Sequence, residues 1–375
     1  MALREQVVGI GAASHASADA VLVLGPHHPS SHGVLQLHLV LDGDVVVQAE
    51  PEVGFLHRGA EKLFEVRDYR QLMMLANRHD WLSAFSNELG IALAVERMLG
   101  MQLPERAVWL RTLLAEVNRV LNHLLVLGAT LSPPGGPKKT AVQGFFEREA
   151  LQAVMEEATG GRMHYVFNRI GGLHEDVPRG WTDRLAAALD GVRPVASAMA
   201  ATVREGDLGR GVGVLSAADV HGHGVSGPVA RASGVPLDLR RDEPYLAYGS
   251  LEVPLVVRTA GDAHSRVACV VDQVGVCLDL AAACLAALPS GPVALRLPKT
   301  VRAPEGATYA ATEGPLGTSG YYLVSRGDRV PWRLAMRTAS FANVSALPIA
   351  LAGVRVADLA GVLSSFFFVV GDVDK

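Results

Sequence analysis

The 375 residues carry a formal charge of −4 at pH 7, and 49% of them are hydrophobic against 19% charged. That balance supplies a sizeable core and excludes extended disorder. A weakly acidic chain also lacks the basic surface of a general nucleic-acid binder, so no nucleic-acid partner is expected.

In chain order, residues 1–19 read as a flexible start and residues 20–60 as a small β-sheet subdomain. "VLVL" (21–24) is a strand, and "VLQLHLVL" (34–41) places Leu35, Leu37, Leu39 and Leu41 on one face at period two. Asp42-Gly43 signals a hairpin that returns through "VVVQAE". A helical bundle is expected over 61–205. "HDWLSAFSNELGIALAVERMLG" has Asp80 as N-cap and Gly100 as stop, and Pro104 opens the next helix, which "SPPGGPK" breaks. Further helices follow at about 140–159 and through "TDRLAAALDGVRPVASAMAATVRE". Residues 206–375 read as a mixed part completing the core, with a helix near 264–287 and strands at "YYLVS" and "WRLAMR". The predicted class is α+β.

The N-terminus lacks a secretion signal, and "LLVLGATL" and "FFFVV" are too short to span a bilayer. A mean hydropathy of +0.24 nevertheless points to apolar faces that meet partners, in a cytoplasmic protein buried in an assembly. Cys269, Cys277 and Cys284 form no CxxC pair and are expected as reduced, packed thiols. "GRGVGV" is not a dinucleotide turn, and "GGPKKT" lacks the leading glycine of a phosphate loop. His221 and His223 sit in a glycine-punctuated loop, and His123 reads as a structural histidine within a helix.

The densest chemistry is "GPHHPSSHG" (25–33), with His27, His28 and His32 in one turn. A metal site has no further ligand nearby and would need one from a distant part of the chain. A solvated turn is a second reading, and a polar clamp for a ligand the favoured one, since imidazole both donates a hydrogen bond and exchanges a proton near neutrality.

Several motifs together resemble the D subunit of bacterial NADH–quinone oxidoreductase (respiratory complex I), a family related to the nickel–iron hydrogenase large subunit. They are the histidine loop, "GFLHRGAEKLFE" (54–65), "FNRIGGLHEDVP", "GPVARASGVPLDLRRDEPY", "EGPLGTSGYYLVS" and the final "GDVDK". The resemblance runs from about residue 21 to 375. It implies a hydrogenase-large-subunit-like fold and a quinone headgroup site shared with the complex's B subunit. It further implies that this chain holds no metal or iron–sulfur cluster, while NADH, FMN and the clusters belong to partner subunits. The B and C subunits and those of the membrane arm are the implied partners, and the implied location is peripheral, on the cytoplasmic side of the cell membrane.

By the same resemblance, His32 is the catalytic residue that hydrogen-bonds the quinone, and His28 is the family's other loop histidine. Trp81 lines the pocket where a tyrosine is usual, with Arg78 and Asp80 in support. An indole N–H donates a hydrogen bond but does not release a proton as a phenol does. The family's aspartate after the long helix is missing, with Lys138 and Lys139 in that segment. Leu316, Thr318, Arg326 and Phe367 replace charged residues of the pattern, as in a diverged second copy. Arg58, Glu61 and Lys62 are expected to form a structural ion network. Two other readings stand beside the main one: a scaffold paralogue without quinone chemistry, and a component of a related quinone reductase fed by ferredoxin or a deazaflavin donor.

Overall fold

The computed structural model describes residues 35–131 and 139–375, together with strand backbone at 4–7 and 20–23. His27, His28, His32 and Lys138 lie outside the described residues.

The chain opens with strands β1 (Arg4–Val7), β2 (Ala20–Val23), β3 (Gln36–Asp42) and β4 (Val45–Glu52), ordered β1-β2-β3-β4. β1 falls within the stretch expected to be a loose start. It pairs parallel with β2, while β2–β3 and β3–β4 are antiparallel, so the sheet is mixed at one edge. The twelve residues between β1 and β2 are the length a parallel return needs. Leu35, Leu37, Leu39 and Leu41 are all buried. Gly43 turns the β3–β4 hairpin at φ 62°, a conformation that costs a glycine little.

Two short helices, α1 (Ala60–Phe64) and α2 (Leu72–Ala76), lead into α3 (Ala84–Met98) and α4 (Glu105–Thr130). Gly100, at φ 61°, ends the α3 region as expected, and Pro104 is the N-cap of α4. α5 (Lys139–Thr159), the small ladder β5 (Asn168–Arg169) with β6 (Gly172–Leu173), and α6 (Trp181–Glu205) follow. α6 runs on through Pro194.

Short helices α7 (Ala217–Gly222), α8 (Gly227–Ala232) and α9 (Leu239–Asp242) precede α10 (Ala263–Ala287). The His221 stretch is thus helical rather than a loop, because Ser216 and Asp219 close a capping box at its start. α10 packs on α4, α6 and α8. Among the described residues it alone is long and apolar enough to cross a membrane, but most of its apolar window is buried inside the protein. Its span is that of the helix expected near 264–287, a stretch that the two short apolar runs weighed for membrane crossing did not include.

The last part contains an antiparallel sheet of β7 (Gly306–Gly314), β8 (Gly317–Ser325) and β9 (Arg333–Arg337). α11 (Ala339–Ser345), α12 (Leu347–Leu351), α13 (Leu359–Ser364) and α14 (Val370–Val373) complete the chain. α3 lies against β7 and β8 so closely that a Cβ at Gly90 would strike the Tyr321 ring. The outcome is an α+β fold: a helical core flanked by small sheets.

Candidate functional site

The turn between α2 and α3 carries three of the candidate residues, Arg78, Asp80 and Trp81. One Asp80 oxygen accepts from the backbone N–H groups of Leu82 and Ser83, each at 3.1 Å. These bonds cap a 3-10 turn, Trp81–Ser83, ahead of α3, so Asp80 starts that turn and not the α-helix itself. Asn87 on α3 donates its amide to the Asp80 carbonyl at 3.1 Å, tying the turn down from behind. Trp81 is half-buried and packs on the main core. Arg78 is exposed, and its carbonyl accepts from Arg58 at 3.0 Å.

The C-terminal tail closes on this turn. A Cβ at Gly371 would lie 2.6 Å from the His79 carbonyl oxygen, so only glycine allows the two backbones to approach. Asp372 sets one oxygen 3.6 Å from His79 Nε2, while its other oxygen accepts from the Ser340 N–H at 3.1 Å. Asp374 accepts from the N–H groups of Gly54 at 2.8 Å and Leu56 at 2.7 Å, which anchors the 54–59 loop. Lys375 donates to the Met336 carbonyl. Four segments far apart in sequence thus meet around residues 77–83.

The electrostatics of this junction are unusual. Asp80 is buried; desolvation, followed by the nearby Asp372 charge, pushes its carboxyl up to about 7 despite the two backbone donors. Burial holds His79 below the ordinary imidazole range, outweighing the attraction of Asp372. His79 Nδ1 is buried with no partner among the described residues. Behind them, Glu88 on α3 accepts from Asn77 Nδ2 and from the N–H groups of Val166, Phe167 and Asn168. Burial pushes Glu88 up to about 7 as well. Val166 sits at φ 46°, a strained conformation for a β-branched residue that the Glu88 bonds hold in place.

Arg78, Asp80 and Trp81 are therefore together with two groups, Asp372 and Glu88, that the sequence did not single out as site residues. The signal for Asp372 was the "GDVDK" ending, read only as a motif. The expected ion network is partly different. Arg333 pairs with Glu61 and Glu65, and Lys62 with Glu65, whereas Arg58 turns to the Arg78 carbonyl.

A second polar cluster fills the core around α4. Arg240 pairs with Glu116 (3.0 Å) and Asp238 (2.7 Å), and Arg231 with Glu313 (2.7 Å). Arg119 donates to the carbonyls of Gly314 and Glu313 at 2.8 and 2.6 Å. The Gln273 amide, with its oxygen toward Arg231 and Arg240, donates to His123 Nε2 at 2.9 Å. Burial, reinforced by Arg119, pushes His123 down to about 3, so it is a neutral structural histidine. Most of these charges come from the motifs "GPVARASGVPLDLRRDEPY" and "EGPLGTSGYYLVS". The motifs therefore build framework as well as site. Cys269, Cys277 and Cys284 are buried on α10, and no group able to hold a metal occurs among the described residues.

The profile of the family described as "Respiratory-chain NADH dehydrogenase, 49 Kd subunit" matches residues 136–302 and 295–375. A Salinispora arenicola protein, named as the second NADH-quinone oxidoreductase D subunit, is 61% identical over 380 residues, covering 100% of this chain and 98% of its own length. The chain belongs to this D-subunit family. Another member, numbered 1, from Streptomyces coelicolor is 59% identical over 99% of both chains. More distant D-type relatives include one from Rhizobium etli, 36% identical over 95% of this chain. The family's members thus include copies numbered 1 and 2, and the likeness spans both the α2–α3 turn and the buried charge cluster.

Proposed function

We propose that this chain acts as the D-type subunit of a NADH–quinone oxidoreductase and contributes the wall of its quinone headgroup site. The observation that carries the reading is end-to-end identity of about 60% to proteins bearing that name. His32 is the headgroup donor: an imidazole N–H stabilises the negative charge that develops on a quinone oxygen during reduction. His28 flanks it in the same loop. Trp81 lines the pocket and offers an indole donor, while Arg78 and Asp80 fix the turn that presents it. The B subunit supplies the iron–sulfur cluster that delivers electrons, the C subunit and the membrane arm complete the assembly, and NADH and FMN bind in other subunits. The chain sits peripherally on the cytoplasmic side of the cell membrane.

The test is inhibitor-sensitive quinone reduction by membranes in which this chain is the only D-type subunit, comparing wild type with His32→Ala. Activity lost in the variant, with the complex assembled, supports the reading. Assembled wild type without inhibitor-sensitive activity overturns it.

A further inference from the structure

Trp81 is half-buried, and the backbone on either side of it is held by buried side-chain amides. The carbonyl that accepts from Asn87 Nδ2 at 3.1 Å is that of Asp80, so the bond grips the peptide unit that leads directly into Trp81. On the far side the Leu82 carbonyl accepts from Asn118 Nδ2 on α4 at 3.2 Å. One turn further along α4, Asn122 donates to the Ser83 hydroxyl at 3.4 Å.

Asn87 is bonded at both ends of its amide. Its Oδ1 accepts from the Tyr321 hydroxyl on β8 at 3.3 Å, and both residues are buried. The two bonds fix which way the amide faces. A backbone carbonyl only accepts, so the NH2 must point at Asp80, and the phenol must then donate to the oxygen left over. Gly90, one turn after Asn87 on α3, makes this reach possible, because a Cβ there would strike the Tyr321 ring. A chain of hydrogen bonds therefore runs from β8 through α3 to the Asp80–Trp81 peptide, joining residues 234 positions apart.

We propose that Asn87 is a positioning residue of the headgroup site: its amide, oriented by the Tyr321 hydroxyl, fixes the Asp80–Trp81 peptide and through it the place of the indole in the wall. The inference rests on the headgroup reading given above, through Trp81. Without the Asn87 donor the Asp80 carbonyl is a buried acceptor with no partner, and it turns toward another donor and takes the peptide with it. The side chain leaves the backbone at the next Cα, so a tilt of that peptide reaches the indole ring as a larger displacement.

Trp81 lines the pocket and exchanges no proton, so its displacement weakens quinone binding without changing the chemical step. Loss of one neutral hydrogen bond is expected to raise KM for a short-chain quinone about fivefold while kcat stays nearly constant. Tyr321→Phe leaves the amide in place but free to turn, and its expected rise in KM is smaller, about twofold.

The experiment uses the assembled complex and two readouts: KM and kcat for a short-chain quinone, and deuterium uptake of residues 80–86. The variants are Asn87→Ala, Tyr321→Phe, the two combined, and each single change in a Trp81→Phe background. Tyr321→Phe keeps the ring against Gly90 and serves as the test where Asn87→Ala does not assemble. Both single variants are expected to raise KM and uptake, the combination to resemble Asn87→Ala alone, and the KM effects to vanish in the Trp81→Phe background. A rise in KM that persists without Trp81, effects of the two changes that multiply, or uptake as in wild type overturns the proposal. Uptake that rises in this non-additive way, in a complex whose wild type lacks inhibitor-sensitive quinone reduction, upholds the hold of Asn87 on the turn and counts against the headgroup reading instead.

Discussion

Glu116 offers the sharpest test of the core. It lies wholly buried on α4, bonded by Arg240 and by the Tyr248 hydroxyl, with Arg119 Nε at 3.6 Å. Burial alone would raise its pKa, but Arg240 and Arg119 hold it below the ordinary carboxylate range. The cluster balances three arginines (Arg119, Arg231, Arg240) with three carboxylates (Glu116, Asp238, Glu313). Glu116→Gln preserves shape and a bond to Tyr248 but leaves one positive charge uncompensated in a dry interior. Removing one partner of a buried pair costs about 3–5 kcal/mol. That is a large share of the roughly 5–15 kcal/mol that holds a typical domain together. Urea titration followed by circular dichroism, together with the yield of assembled complex, should show it. Replacing both partners, as in Glu116→Leu with Arg240→Met, restores neutrality and should recover more than about 1 kcal/mol relative to the single variant. A Glu116→Gln protein within about 1 kcal/mol of wild type, or a double variant worse than the sum of the singles, would refute the argument that charge balance holds this core.

Two further expectations follow from single contacts. Gly371→Ala places a methyl 2.6 Å from the His79 carbonyl oxygen, backbone against backbone; overpacking of this kind costs about 1–3 kcal/mol. It should raise deuterium uptake in the tail at every pH, and unchanged uptake would mean that the close approach is not a constraint. The three cysteines are buried, and desolvation pushes the Cys269 and Cys284 thiols up to about 12. Iodoacetamide at pH 8 should add no mass to the native protein and three adducts after denaturation, and rapid native labelling would show that α10 opens.

What the sequence made legible was whatever repeats at a regular period or ends in a punctuating residue. The four leucines of β3 and its approach, the Pro104 start of α4, Gly100 and the span of α10 all follow from local pattern. β7 escaped notice because "GATYAATEG" is built of small residues without apolar alternation, and it is made a strand by pairing along its whole length with β8. The buried arginines escaped for another reason. Arginine is ordinarily a surface residue, and Arg231 becomes a core residue only because Glu313, 82 positions later, meets it. The candidate site divides in the same way. Asp80 and Trp81 could be found from their neighbours in the chain, but the role of Asp372 depends on a contact with a turn nearly 300 residues earlier.

The positions read above as departures from the family pattern have local surroundings of their own. Leu316 is buried in the β7–β8 hairpin connection, where its carbonyl accepts from Asn343 at 3.4 Å. Thr318 donates its N–H to Ser226 at 3.0 Å, and its carbonyl accepts from Arg337. Arg326 stacks on the exposed Trp332 ring, 3.1 Å from its centre, which keeps its charge near solvent. Each replacement is accommodated where it stands, and none breaks the cluster of Glu116, Arg240, Asp238, Arg231 and Glu313. Phe367 is the exception, because it is buried at φ 48°, a conformation that costs a bulky residue about 1–3 kcal/mol. That strain falls three residues before α14, where the chain turns to bring Gly371 and Asp372 against His79. A strained residue persists only when its surroundings hold it, and here they are the core contacts of Phe366, Phe367 and Val369 and the Ser340 bond to the Val369 N–H at 3.1 Å. The strain is therefore local to the tail's approach, held by the same stretch that seats Gly371 and Asp372 against His79.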